Sequence, residues 1–260
     1  MNTTAKQNVT INSITRAWVI LQLFDQSWEL GIQDISRLTG LNKTTVFRVV
    51  KSLEANGLLV QNASNNKYNP GIAILKLAHG MYKNYDVKNI FVPYMKKLHD
   101  EFNEDVILSV LSGTDVVCID RLEGVNAINL HSRIGKSMPV CAGSTARVLL
   151  PYLDNKSLKA VYSDVKTMHS LTIPTTKKEL EESINFIKSH GYLTSCGVVD
   201  TGVTSVSIPI FMNKDHVYSL GICGIKERIH EKGIKNIIKR MLEFGKELEE
   251  KIVCCEMVNK

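Results

Sequence analysis

The sequence predicts an α+β protein whose first part is a winged helix-turn-helix, and three observations carry that expectation. Between Ile14 and Leu53 apolar residues recur at helical spacings of three and four, in three blocks with a sharp break at Gly40. Two brief β-prone runs, at 58–60 and 67–69, then flank the polar stretch 62–66, which reads as a hairpin. Beyond Asp86, helical and strand-like runs are interleaved with hairpin turns, which favours an α+β domain over a doubly wound parallel sheet.

Each element has a local reason. The first helix starts at Ser13, a good N-cap type, and sends Ile14, Ala17, Trp18, Leu21 and Phe24 to one side. A short second helix over 30–40 turns Ile32, Ile35 and Leu38 inward and stops at Gly40, where a left-handed residue lets the chain turn. The third opens on Asn42 as N-cap, buries Val46, Val49, Val50 and Leu53, and ends at the Asn56-Gly57 pair. After the hairpin, 71–85 reads as a helix carrying Ile72, Leu75 and Leu77. In the second part helices are expected at 90–102, 144–152, 177–190 and 233–254. Strands are expected at 106–111, 116–119, 126–133, 203–211 and 216–225. The expected partition is a winged helix at 1–70, a linker helix at 71–86 and a larger domain at 87–260.

A 260-residue chain with 44% hydrophobic and 22% charged residues is ordinary globular material, so wholesale disorder is excluded. The formal charge of +6 is unevenly placed. From Met1 to Tyr85, Lys and Arg outnumber Asp and Glu by nine to four, and the remainder of the chain is close to balanced. The first part is therefore suited to a polyanion. Six cysteines show no C-x-x-C pair, the N-terminal residues lack an apolar signal core, and the longest apolar run is 17–21. A bilayer span needs about 18–20 apolar residues, so a cytoplasmic protein with reduced thiols and no membrane partner is expected.

In a helix-turn-helix the second helix of the motif enters the DNA major groove with its early residues facing base edges. Here those positions are Lys43, Thr44, Thr45, Arg48 and Lys51, with Phe47 partly exposed and Arg37 on the preceding helix. Arginine can grip guanine with two hydrogen bonds, threonine can donate, accept or touch a thymine methyl, and lysine neutralises phosphate. No acid occurs between Arg37 and Leu53. Asn65, Asn66 and Lys67 at the hairpin tip are placed to reach the adjacent minor groove or phosphates. Double-stranded DNA is therefore the expected partner.

The segment from Gly40 to Gly57, Gly-Leu-Asn-Lys-Thr-Thr-Val-Phe-Arg-Val-Val-Lys-Ser-Leu-Glu-Ala-Asn-Gly, resembles the recognition-helix region of IclR-type transcription regulators. Tyr68-Asn-Pro-Gly71, the stretch from Pro139 to Leu150, Gly191-Tyr192, the stretch from Gly202 to Ile210 and that from Leu220 to Ile225 continue the resemblance over nearly the whole chain. It implies a C-terminal GAF-like effector-binding domain and a dimer or tetramer that binds a palindromic operator. It also implies control, most simply repression, of a catabolic operon in response to a small carboxylate or aromatic metabolite. Carried onto this chain, the effector pocket would be lined by Ser144 and Thr145 at a helix start and by Cys196, Ser205, Gly221 and Cys223 from strands. A helix start offers unpaired N–H groups to a carboxylate, which supports Ser144 independently. The sequence departs from the family at Ala146-Arg147, where a Gly-Lys pair is frequent, and at Val198, where an acid is common.

No H-E-x-x-H, phosphate-cradling glycine loop or G-x-S-x-G elbow occurs, so no enzyme, metal or cofactor is expected. The competing reading is a thiol-based redox sensor or small-molecule enzyme built on the second domain, with Cys141, Cys223 and His131 as the group to watch.

Overall fold

The computed structural model describes residues 12–84, 86–125, 130, 132–164, 176–212 and 216–258. The chain forms two units, Met1–Asp86 and Val87–Lys260.

The first unit contains α1 (Asn12–Gln22), α2 (Ile32–Thr39), α3 (Lys43–Ala55), β1 (Leu59–Gln61), β2 (Tyr68–Pro70) and α4 (Ile72–Asn84). Gly40 ends α2 at φ 71° and its N–H closes on Ser36 O. That left-handed conformation costs glycine little. Two residues later the Asn42 side chain accepts the Thr45 N–H at 2.8 Å and starts α3, as an N-cap asparagine does. This pair of caps sets the angle between α2 and α3. β1 and β2 pair antiparallel with Val60 opposite Asn69, and Leu30 bridges to Tyr68 on the other side of β2. Ile20, Ile35, Val46, Val50, Leu53, Leu59 and Tyr68 make the core.

Several expected inward residues are outside that core. Ile14 and Trp18 are 65% and 60% exposed and Leu38 is 54% exposed; the apolar Ile72, Leu75 and Leu77 of α4, for which no burial was expected, are exposed as well. The physical reason is size. A small three-helix core accepts one narrow stripe per helix, and on α1 the innermost position falls to Ile20.

The second unit contains α5 (Asp86–Phe102), β3 (Asp105–Ser112), β4 (Asp115–Leu122), β5 (Ser137–Pro139), α6 (Ser144–Arg147), α7 (Asn155–Asp164) and α8 (Lys177–His190). It continues through β6 (Leu193–Cys196), β7 (Val203–Phe211), β8 (Val217–Ile225), α9 (Lys226–Glu231) and α10 (Ile234–Val258). Six strands form one antiparallel sheet in the order β5-β4-β3-β8-β7-β6. β7 and β8 are buried along almost their whole length, as strands covered on both faces must be. On one face, Phe91 of α5 meets Tyr218 of β8 at 5.2 Å between ring centroids, and Gly245 brings α10 close to Ile208 and Ile210 of β7. On the other, α6 lies against β7 and β8, with a second core of Val140, Leu149, Leu150, Leu180 and Ile187 beside it.

The single helix expected at 144–152 is two pieces, α6 and a 3-10 turn over Leu150–Tyr152. Pro151 has no N–H to continue the ladder. The strand expected at 126–133 falls largely on 126–129 and 131, outside the described residues, and Leu130, Ser132 and Arg133 are not in a strand. Sequence pattern does not announce β5, β6, α7 or α9. Three or four residues of strand, or a short polar helix, carry too little periodicity to read.

Candidate nucleic-acid interface and ligand cavity

On α3 the buried Val46, Val50 and Leu53 leave an opposite arc of Lys43, Thr44, Phe47 and Arg48 exposed. Lys43 and Arg48 make no ion pair or side-chain hydrogen bond among the described residues, so both charges are available. Two other expected contacts are already engaged. Lys51 Nζ binds Glu54 Oε2 at 2.7 Å and Gln61 Oε1 at 3.3 Å, tying α3 to β1, and Arg37 lies 3.4 Å from Asp34. Thr45 gives its backbone N–H to the Asn42 cap, and with Arg48, Ser52 and Asn56 it lines a cleft of about 320 Å³ between α1 and α3. Arg16 of α1 lines the same cleft and adds a cation that periodicity alone does not single out. At the hairpin tip Lys67 is exposed, whereas the Asn65 amide is turned onto Glu29.

The second site lies between α6 and the sheet. The hydroxyls of Ser144, Ser195, Ser205 and Ser207 form one hydrogen-bonded group. Ser144 Oγ is 2.7 Å from Ser205 Oγ and 3.1 Å from Ser207 Oγ, and Ser195 Oγ is 2.8 Å from Ser205 Oγ. Ser195 Oγ also accepts the Ser144 N–H at 2.8 Å. Gly221 sits under this group because nothing larger fits: a Cβ there would lie 2.8 Å from both Ser207 Oγ and Thr145 Cγ2. Thr145, Ser205 and Cys223 line a cavity of about 30 Å³ with Ser132, Ser195, Val198 and Asp200. That volume holds a water or two. Admitting a metabolite requires the cavity wall to move outward.

The structure corrects three points. Ser144, fully buried, and Gly221 do not line the cavity but stand behind Ser205 and Thr145. Cys196 is exposed and absent from the cavity lining; strand alternation gives the inward position to its neighbour Ser195. The helix at Ser144 has only four residues and its first N–H is already bonded to Ser195, so a macrodipole contributes little there. Arg147, which replaces the frequent lysine, donates from Nε and NH2 to Cys141 O at 3.1 and 2.7 Å and so staples the turn that leads into α6. Val198 lines the cavity where an acid is common, and Asp200 places a carboxylate two residues on.

The three buried thiols among the described residues are poorly placed for redox chemistry. Burial pushes the Cys118 thiol up to about 11 and raises those of Cys141 and Cys223, so none is a ready thiolate near neutrality. Cys118 and Cys223 lie on β4 and β8, with β3 between them. Two strand spacings are about 10 Å, beyond disulfide reach. His131 lies outside the described residues. Among the described residues no group of three or more His, Cys, Asp or Glu is placed to hold a metal ion, and no helix is long and apolar enough to cross a membrane.

Residues 79–250 match the model for the C-terminal domain of the bacterial transcriptional regulator IclR, and residues 13–63 match that for the IclR helix-turn-helix domain. The chain belongs to the IclR family. Among curated IclR relatives it is 27% identical to the HTH-type transcriptional regulator XynR of Escherichia coli (strain K12), over 90% of this chain and 94% of that one. Its fold superposes on an IclR family transcriptional regulator from Brucella abortus with a TM-score of 0.81 at 23% identity, covering 95% and 94% of the two chains. It also superposes on an IclR homologue from Microbacterium hydrocarbonoxydans complexed with 4-hydroxybenzoate, with a TM-score of 0.75 at 20% identity over 93% and 99%. As an IclR-family member, the protein is a ligand-responsive DNA-binding transcription regulator and not an enzyme.

Four polar residues in or beside the cavity, Ser195, Ser207, Ser132 and Asp200, are absent from the sequence-based set. Ser207 is within reach of sequence reasoning, since period-two alternation from Ser205 places it on the same face. Ser195 is not, because its strand is four residues long.

Proposed function

We propose that this IclR-family regulator is a cytoplasmic repressor of a catabolic operon, released from or retained on its operator by a small carboxylate metabolite. The observation that carries this is the pairing, in one chain, of an unpaired cationic face on α3 with a hydroxyl-lined cavity in the second unit. Arg48 reads a base edge, Thr44, Thr45 and Phe47 contact the groove, and Lys43 and Lys67 neutralise phosphates. Arg37 and Lys51 serve at the margin, held by Asp34 and Glu54. Repression requires only tight occupation of a promoter site, which such a face can supply.

The exposed apolar residues Ile14 and Trp18 on α1, and Leu75 and Leu77 on α4, favour docking of a second copy. A two-fold dimer then presents two α3 helices to half-sites about 34 Å apart, or a multiple of that. The effector bonds to the Ser195 and Ser205 hydroxyls, which Ser144 orients from behind, with Thr145 and Cys223 shaping the floor and Gly221 packed beneath Thr145. It shifts the operator affinity by binding one arrangement of the dimer better than another.

A thermal-shift screen of small carboxylates and sugar acids on the full-length protein tests this. A true effector at one hundred times its Kd adds about 2.7 kcal/mol of stability, a rise in Tm of roughly 5–10 °C. Ser144→Ala removes the hydroxyl that bonds Ser205 and Ser207 and is expected to abolish most of that rise. A compound that shifts wild type and Ser144→Ala equally binds elsewhere, and the cavity assignment is then wrong.

A further inference from the structure

The hairpin of the DNA-binding unit is held at its tip by an acid. Glu29 precedes Leu30, whose backbone is anchored to Tyr68 by two hydrogen bonds of 3.1 and 2.9 Å. From that anchor the carboxylate reaches the tip. Oε1 accepts from Asn62 Nδ2 at 2.9 Å, and Oε2 accepts from Asn65 Nδ2 at 2.8 Å. The amide oxygens of both asparagines are used inside the tip. Asn62 Oδ1 takes the Ser64 N–H and hydroxyl at 3.0 and 2.7 Å, and Asn65 Oδ1 takes the Lys67 N–H at 2.9 Å. Asn66, at φ 57°, stands beside them in a left-handed conformation that asparagine tolerates. The result is a closed set of bonds that leaves Asn66 and Lys67 as the outward groups of the tip.

A carboxylate beside a surface that meets phosphates lowers general attraction to DNA, since binding there is driven by cation–phosphate neutralisation. The hydrogen bonds from Asn62 and Asn65 hold this carboxyl below the usual range, so it remains charged. We infer that Glu29 is a positioning residue for operator reading: it fixes the tip in one arrangement and gives up non-specific attraction for selectivity. The inference rests on the hairpin meeting DNA, as in the function proposed above. It concerns a residue outside α3 and 33 and 36 positions away from the asparagines it holds.

The sign of two affinities tests it. Duplexes are selected from a random pool with the full-length protein, and affinities for the best duplex and for random-sequence DNA are compared at one salt concentration. Glu29→Gln keeps the volume, removes the charge, and leaves one acceptor oxygen for two donors. Its affinity for random DNA is expected to rise about two-fold while affinity for the selected duplex falls about five-fold, the worth of roughly one hydrogen bond. Asn65→Ala breaks the same clamp without a charge change, so only the second effect is expected. If Glu29→Gln raises both affinities together, the residue is only a repulsive surface charge; if it lowers both, it only stabilises the fold. Either result overturns the inference. A wild-type protein that enriches no duplex would instead remove the DNA reading of the hairpin, and this role with it.

Discussion

Replacing Arg48 with alanine is expected to weaken binding to a selected duplex by about 1–3 kcal/mol, roughly 5- to 150-fold, and to relax selectivity at one base position. The size follows from its setting. Arg48 lies on the exposed arc of α3, four residues after Thr44, and among the described residues its guanidinium has no ion pair to break on binding DNA. Lys43→Ala is the contrasting case. With one phosphate partner fewer on the same arc, all sequences should bind more weakly alike, and the slope of log affinity against log salt should flatten by about one. Fluorescence anisotropy over a salt series separates the two. An Arg48→Ala protein that binds its selected duplex as tightly as wild type would mean that a different arc of α3 faces the groove.

Glu104→Ala is expected to cost about 3 kcal/mol of stability in the second unit, read as the loss in urea-unfolding free energy. Glu104 is fully buried at the start of β3, where it accepts from Arg228 Nε at 2.9 Å and from Lys232 Nζ at 2.5 Å. Lys232 also donates to Phe102 O. The carboxylate thus joins the end of α5 to α9 and the segment after it, and Gly224 of β8 leaves the room it needs. Its removal strands two cations. The Arg228 and Lys232 side chains remain 22% and 31% exposed. Water therefore offsets part of the loss, which puts the expectation at the lower end for a broken buried ion pair. A cost below about 1 kcal/mol would show that the pair contributes little beyond its own desolvation.

What can be read from the sequence is local. Asn42 and Gly40 cap adjoining helices with their own neighbours, so the α2–α3 turn and the exposed arc from Lys43 to Arg48 follow from a short consecutive stretch. The strands β7 and β8 are legible because apolar residues alternate at Val206, Ile208 and Ile210 and at Tyr218, Leu220 and Ile222. What escapes depends on partners distant in the chain. Ser144 meets Ser205 across 61 positions. Nothing in the local pattern at 193–196 marks Ser195 as the residue that completes the group. Glu29 reads as one of three acids between Arg16 and Arg37 until the hairpin folds back on it. Exposure is equally hidden: Trp18 has the helical spacing of a core residue, yet the small core leaves it outside.

At the ligand site, a helix start at Ser144 suggests that backbone dipoles hold an anion, yet α6 is one turn long and its first N–H is engaged. In the proposed site, recognition therefore falls to the side-chain hydroxyls that line the cavity.

The first unit reads DNA sequence, and the second unit alters that reading. The most direct measurement is the affinity of the full-length protein for its selected duplex relative to random DNA at physiological salt, with and without the compound that raises its Tm. A ratio of at least about a thousand is predicted, as for specific operators generally, with the compound changing it several-fold in wild type and not in Ser144→Ala. A ratio near one, or a ratio that the compound leaves untouched, would contradict it.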